Sequence, residues 1–145
     1  MKRDTAREIA IQLIFSDRFN DIDIDNFLSA DNLSFMAEDC DLYEESLDSK
    51  SSEYIRTIIG KYRENSERIN ELISQNSNGW SIKRISGTAL AVLKCAVTEI
   101  LYMEDIPIAA SINSAVEIDK KYDEPDVVSF VNGVLGSIVK NTVSE

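Results

Sequence analysis

From Ile85 to Ile138 the apolar residues recur at intervals of three and four. Ile85, Ala89, Val92, Leu93, Ala96, Val97, Ile100 and Leu101 make one stripe, and Val127, Phe130, Val131, Val134, Leu135 and Ile138 make another. That spacing puts each set on one face of an α-helix and cannot serve a strand, whose faces alternate every second residue. Between the stripes, Pro107 starts a further helix, with Ile108, Ile112, Ala115, Val116 and Tyr122 on its buried side. Proline suits a first helical turn, where its missing N–H has no partner to lose. Pro125 starts the last helix in the same way, and Asp123, Glu124 and Asp126 crowd an N-terminus whose dipole favours negative charge. The whole chain of 145 residues has only 5 Gly and 2 Pro, too few turn formers for an all-β fold.

The helical period also governs the start of the chain. Thr5 and Glu8 have capping-box spacing, and Ala6, Ile9, Ala10, Leu13 and Ile14 follow, which predicts a helix over 5–19. From Ser52 the stripe Ile55, Ile58, Ile59 and Tyr62 precedes a second one, Ile69, Leu72 and Ile73. Asn65-Ser66-Glu67 between them reads as a cap and predicts a break. Gln75 to Gly79 is a loop by composition. Residues 20–50 are harder to read; a short helix over 26–30, capped by Asp25, fits better than a strand of alternating aspartates. These elements predict an all-α fold. The expected architecture is one domain over 1–145, a compact bundle of about seven helices in two helical halves, with an acidic segment at 20–52 in the first.

Composition narrows the chemistry. The chain lacks histidine, the commonest general base and metal ligand. Its glycines are scattered, so no phosphate-cradling loop forms, and no acidic spacing matches a calcium loop. No catalytic, cofactor or metal site is expected, and the chain reads as a binding protein and not an enzyme. Cys95 lies on an apolar helix face and reads as a core residue; Cys40 sits among acids that would raise its pKa. Trp80 reads as a core or staple residue before a ligand-stacking one. Gly133 stands inside a strong helix, where glycine costs about 1 kcal/mol relative to alanine. Close approach of another helix or of a ligand would account for it. No apolar run is long enough to span a membrane and no signal core opens the chain, which points to the cytoplasm.

The net charge of −11 is unevenly spread. Residues 17–48 hold eleven acids against the single base Arg18, a net −10, so the remainder is almost neutral. A local surface for a polyanion is therefore compatible with an acidic protein, although long-range attraction is weak.

Several motifs then carry a resemblance. Thr5-Ala6-Arg7-Glu8-Ile9-Ala10-Ile11-Gln12-Leu13 at one end is followed by Leu93-Lys94-Cys95-Ala96-Val97-Thr98-Glu99-Ile100. Asp105-Ile106-Pro107 leads into Ser111-Ile112-Asn113-Ser114-Ala115-Val116-Glu117-Ile118, and Phe130-Val131-Asn132-Gly133-Val134-Leu135 closes the series. In this order they resemble the NusB family of bacterial transcription antitermination factors, well over 3–19 and about 80–140 and by helix pattern alone between. The resemblance implies an all-α bundle in two halves and no catalysis. It implies binding of boxA-type RNA together with the small-subunit ribosomal protein that acts as NusE, within the RNA polymerase antitermination complex. In that reading Lys2, Arg3 and Arg7 hold phosphates, Phe15 and Phe130 offer aromatic surface to unstacked bases, and Asp126 lies on the same RNA-binding face. Lys94 and Glu99 meet the protein partner, with Glu99 expected to be exposed. The bland alternatives are burial for Phe130 and a surface ion pair for Arg7.

The sequence departs from the family at particular positions. Its basic start is thin, with Asp4 and Thr5 between the cations. Phe15 replaces a frequent Tyr, Lys94 a common Arg, and Ser114 the usual Glu. Asp119 stands where the family has a small apolar residue, either capping a neighbouring helix or marking an altered face. The thin basic start and the acidic window support a second reading: a protein–protein adaptor or regulatory homo-oligomer of the same fold that has lost RNA binding. A homodimer stays open in either reading.

Overall fold

A computed structural model describes residues 2–17, 49–77 and 85–143. The expected short helix over 26–30, the acidic segment, Cys40 and Trp80 lie outside these residues. Five α-helices make up the described part: α1 (Arg3–Asp17), α2 (Ser49–Gln75), α3 (Gly87–Tyr102), α4 (Ile108–Asp119) and α5 (Pro125–Ile138), the last continued by a π-helical turn, Val139–Val143. No strand occurs among the described residues. The count falls short of seven partly because the two stripes after Ser52 form one element. α2 spans 27 residues as two helical stretches joined across a kink at Asn65, whose φ of −122° and ψ of 17° leave the helical region. The Asn65 amide donates to the Lys61 carbonyl at 2.9 Å. A break predicted there is a kink.

The first helix begins two residues earlier than its capping-box spacing suggests. Ala6 N–H already donates to the Lys2 carbonyl at 3.1 Å, which places Thr5 inside the first turn and leaves it no capping role. Glu8 is buried and receives the Lys121 ammonium from the turn after α4 instead of turning back to its own helix. The helix over Ile108–Asp119 has Pro107 as its N-cap, in an extended conformation, one position before the first turn. It also ends sooner than the apolar spacing implied. Tyr122 and Asp123 both donate their N–H to the Asp119 carbonyl at 2.9 Å, which turns the chain. Tyr122, expected on the buried side, therefore stands 44% exposed. Pro125 opens α5 as expected.

α3 is the hub. Every residue from Ala89 to Ile100 is buried, and the helix packs against α1, α2, α4 and α5. A helix enclosed on all sides must be apolar nearly all round. Its Ser86 cap accepts the Ala89 N–H at 3.0 Å. Leu13, Ile14, Ile55, Ile58, Leu93, Leu135 and Ile138 are almost wholly removed from water within one contiguous core. Each such side chain contributes about 1.5–3 kcal/mol of burial free energy. At the other end of the bundle the buried Asn76 ties α2 to α5, accepting from Ser137 Oγ at 2.7 Å and from Asn141 Nδ2 at 2.9 Å. Gly133 does not mark a close helix contact: a Cβ added there would meet nothing within 4 Å.

Candidate nucleic-acid interface and the ion pair behind it

The polar residues of the first and third helices meet inside the protein, not on its surface. Arg7 on α1 and Glu99 on α3 are 6% and 1% exposed. The guanidinium forks the carboxylate, Arg7 Nε to Glu99 Oε2 at 2.9 Å and Nη2 to Oε1 at 2.9 Å. Around the fork, Tyr54 Oη donates to Glu99 Oε2 at 2.5 Å and Ser111 Oγ to Oε1 at 2.9 Å. Arg7 Nη1 donates to both Asp4 Oδ1 and Ser114 Oγ at 2.9 Å. Four helices thus converge on one charge pair with both carboxylate oxygens satisfied, the condition under which a buried ion pair is tolerated.

The network shifts its own titrations. Burial by itself would lower the Arg7 pKa; the hydrogen bonds and charge of Glu99 outweigh it and hold the guanidinium above its ordinary value. Burial, then the neighbouring Cys95 and Glu99, holds the Tyr54 phenol well above its usual range. Burial first and Glu99 second raise the Cys95 thiol, which packs in the core as its position on the apolar face suggested.

Three expectations are corrected by this burial. Glu99 was expected on the surface, meeting a protein partner; its carboxylate is enclosed because Arg7, Tyr54 and Ser111 replace water around it. Arg7 was expected to hold phosphate; its guanidinium is enclosed and its donors serve Glu99, Ser114 and Asp4, so the ion pair with the exposed neighbouring Asp4 is present but secondary to the buried fork with Glu99. Lys94 is also withdrawn, 6% exposed, with its ammonium 5.5 Å from the centre of the Tyr62 ring.

The remaining candidates do lie at the surface. Lys2 and Arg3 are exposed at the start of α1, where Arg3 sits 4.7 Å over the Tyr54 ring. Phe15, 38% exposed, lies near the other end of α1, roughly 18 Å from Arg3 at about 1.5 Å per residue. It borders a groove of about 350 Å³ with Ile11, Gln12, Thr88, Ile118 and Tyr122. Phe15 and Tyr122 are the exposed large apolar side chains among the described residues, and both edge this one groove. Asp126 is exposed in the first turn of α5, and Phe130, one turn on, is half-buried against the core. The structure brings Phe15 together with Tyr122, a residue the sequence reading had assigned to the interior. Lys2 and Arg3 stand apart from that groove, along α1. Among the described residues no group of three or more acids or thiols gathers to hold a metal.

Among the described residues these features define an all-helical scaffold with a cross-braced interior and an aromatic groove at its surface. Compared with known proteins, residues 4–140 match the NusB family. The chain is 35% identical over 138 residues to the transcription antitermination protein NusB of Natranaerobius thermophilus, covering 95% of this chain and 94% of that one. It is 38% identical over 140 residues to the same-named protein of Clostridium botulinum strain Alaska E43, covering 97% and 99%. Among solved structures, T. maritima NusB superposes with a TM-score of 0.76 at 33% identity, over 97% of this chain and 92% of that one. The chain belongs to the NusB family of transcription antitermination proteins.

Proposed function

We propose that this protein binds boxA-type RNA jointly with the small-subunit ribosomal protein that acts as NusE, and that it does so as a component of a cytoplasmic antitermination complex. The observation that carries the reading is the pairing of Phe15 with Tyr122 around one groove. Exposed aromatic rings at a concave site suit unstacked bases, which single-stranded RNA presents and a duplex does not. Lys2 and Arg3, at the start of the helix that carries Phe15, supply phosphate contacts further along the strand. Phe130 and Asp126 extend the surface on α5. Arg7 has a different part: through Glu99 it fixes α1 to α3, so that the cations and Phe15 are presented on a rigid helix. The protein partner is assigned no residues, because neither Lys94 nor Glu99 is available to it.

The experiment is fluorescence anisotropy of a labelled boxA-type RNA with the parent and the Phe15→Ala variant, each with the ribosomal protein present. Loss of one base-stacking ring weakens binding by about 1–3 kcal/mol, roughly five- to 150-fold. Equal affinity in a folded variant removes the groove from the RNA site. Absence of any RNA binding by the parent–partner complex favours the protein-only adaptor instead. That second reading draws on the net −10 of residues 17–48, which repels a polyanion.

A further inference from the structure

The turn between α4 and α5 brings together two carboxylates that pair with no cation among the described residues. Asp119, the last residue of α4, is 0% exposed, and neither of its carboxylate oxygens has a hydrogen-bond partner. Asp123 lies against it; its Oδ2 is likewise buried and unpartnered, while its Oδ1 accepts from Ser86 Oγ, the cap of α3, at 3.1 Å. The turn enforces the approach, because the Asp123 N–H is bonded to the Asp119 carbonyl. Charged neighbours in the turn are engaged elsewhere: Lys120 pairs with Glu117 at 2.7 Å and Lys121 with Glu8 at 2.5 Å. From α5, Glu124 and Asp126 are exposed and add only negative charge; from α3, Ser86 brings a hydroxyl. Burial, and then Asp123, pushes the Asp119 carboxyl well above the usual carboxylate range, to about 8.

Three enclosed acceptor oxygens without a donor are costly, and two ionised carboxylates in contact are more so. Something must supply the missing donor. A calcium ion needs roughly six to eight oxygens, and the two carboxylates with Ser86 offer fewer. A single proton fits: it turns one carboxyl into a donor, cancels half the charge and requires no room.

We propose that Asp119 and Asp123 share one proton, and that this proton latches residues 120–124, with Tyr122 and the first turn of α5, against the cap of α3. When the proton leaves, the two carboxylates repel. Asp123, half-buried, turns to solvent and releases Ser86, and the turn loosens. Tyr122 edges the aromatic groove and Asp126 begins α5, so the latch reaches the surface assigned to RNA. That consequence rests on the RNA-binding reading; the latch itself does not.

The sign follows from proton linkage. Folded Asp119 holds its proton more tightly than the unfolded chain, so stability falls as pH rises from the ordinary carboxylate range through about 8, then levels. The absence of histidine leaves few other groups to titrate there. The test is thermal melting of the parent and of Asp119→Asn from about pH 6 to about pH 9. The parent's melting temperature should fall across the window. The variant, whose amide donates to Asp123 at any pH, should stay flat. Parallel curves overturn the proposal.

Amide hydrogen exchange of the parent keeps the question answerable if Asp119→Asn folds poorly. The Tyr122 and Asp123 amides should lose protection about tenfold per pH unit, beyond intrinsic exchange, up to the folded pKa. Protection independent of pH overturns the latch. Recovery of parent stability at high pH by calcium or magnesium alone replaces the proton with a cation and also overturns it. If the melting and exchange results hold while RNA affinity ignores pH, the latch stands and its link to RNA binding fails.

Discussion

Replacing Arg7 with Met should destabilise the protein by about 3 kcal/mol, and replacing Glu99 with Met by about 5 kcal/mol, the two ends of the usual range for breaking a buried ion pair. The order comes from what each change strands. Without Arg7, Glu99 keeps the Tyr54 and Ser111 hydroxyls as donors, with the weaker Cys95 thiol 4.0 Å from Oε2. Without Glu99, the Tyr54 and Ser111 hydroxyls lose their acceptor, and Arg7 retains only Ser114 and an Asp4 carboxylate whose side chain is 61% exposed. Losses of this size are a large share of a domain's stability of about 5–15 kcal/mol. The double replacement removes both charges and should recover much of the loss, since an apolar pair of similar volume often matches or exceeds a buried ion pair. The assay is equilibrium urea unfolding followed by circular dichroism, with the slope checked for constancy so that the four proteins form a valid cycle. Single losses below about 1 kcal/mol that simply add would refute the reasoning, because that is how solvated surface pairs behave.

Two smaller tests follow. Gly133→Ala should stabilise the protein by about 0.5–1 kcal/mol, since a Cβ there meets nothing within 4 Å and the helix gains propensity; a fall in melting temperature would contradict the open space. Phe15→Ala should cost less than the roughly 3–5 kcal/mol of a core Phe, because the ring is 38% exposed; a collapse of the melting transition would show that its role is structural.

Much of the fold was legible because helix periodicity and chain punctuation act locally. The stripes of α3 and α5, the Pro125 start and the bend at Asn65 all follow from residues within a turn or two of each other. Glu99 stands four residues after Cys95, on the same helix face, yet its charge made it read as exposed; it is 1% exposed. What the spacing could not show was that Arg7, 92 positions away, arrives to neutralise it. A lone cation or acid in a sequence reads as surface because burial without a partner is prohibitive, and the partner is a tertiary fact. Asp119 carried a similar signal, a charge four residues after the buried Ala115. Tyr122 was misplaced for the opposite reason: the apolar spacing continues past Asp119, but the backbone turns there, and only its hydrogen bonds reveal it. The proline at 107 does mark a helix start, but as its cap: the helix begins one residue later than read, at Ile108.

The proposed function has an acidic protein bind RNA through a thin basic helix with help from a basic partner. Its most direct test is a salt titration of boxA-type RNA affinity, for the protein alone and with the ribosomal protein, using the parent and a Lys2→Ala, Arg3→Ala double variant. Each phosphate contact contributes nearly one to the slope of log affinity against log salt. Binding by the protein alone should be weak, and the partner should strengthen it and steepen the slope. The double variant should flatten the slope of the ternary complex by about two. An unchanged slope and affinity in a folded, partner-bound double variant would contradict the account.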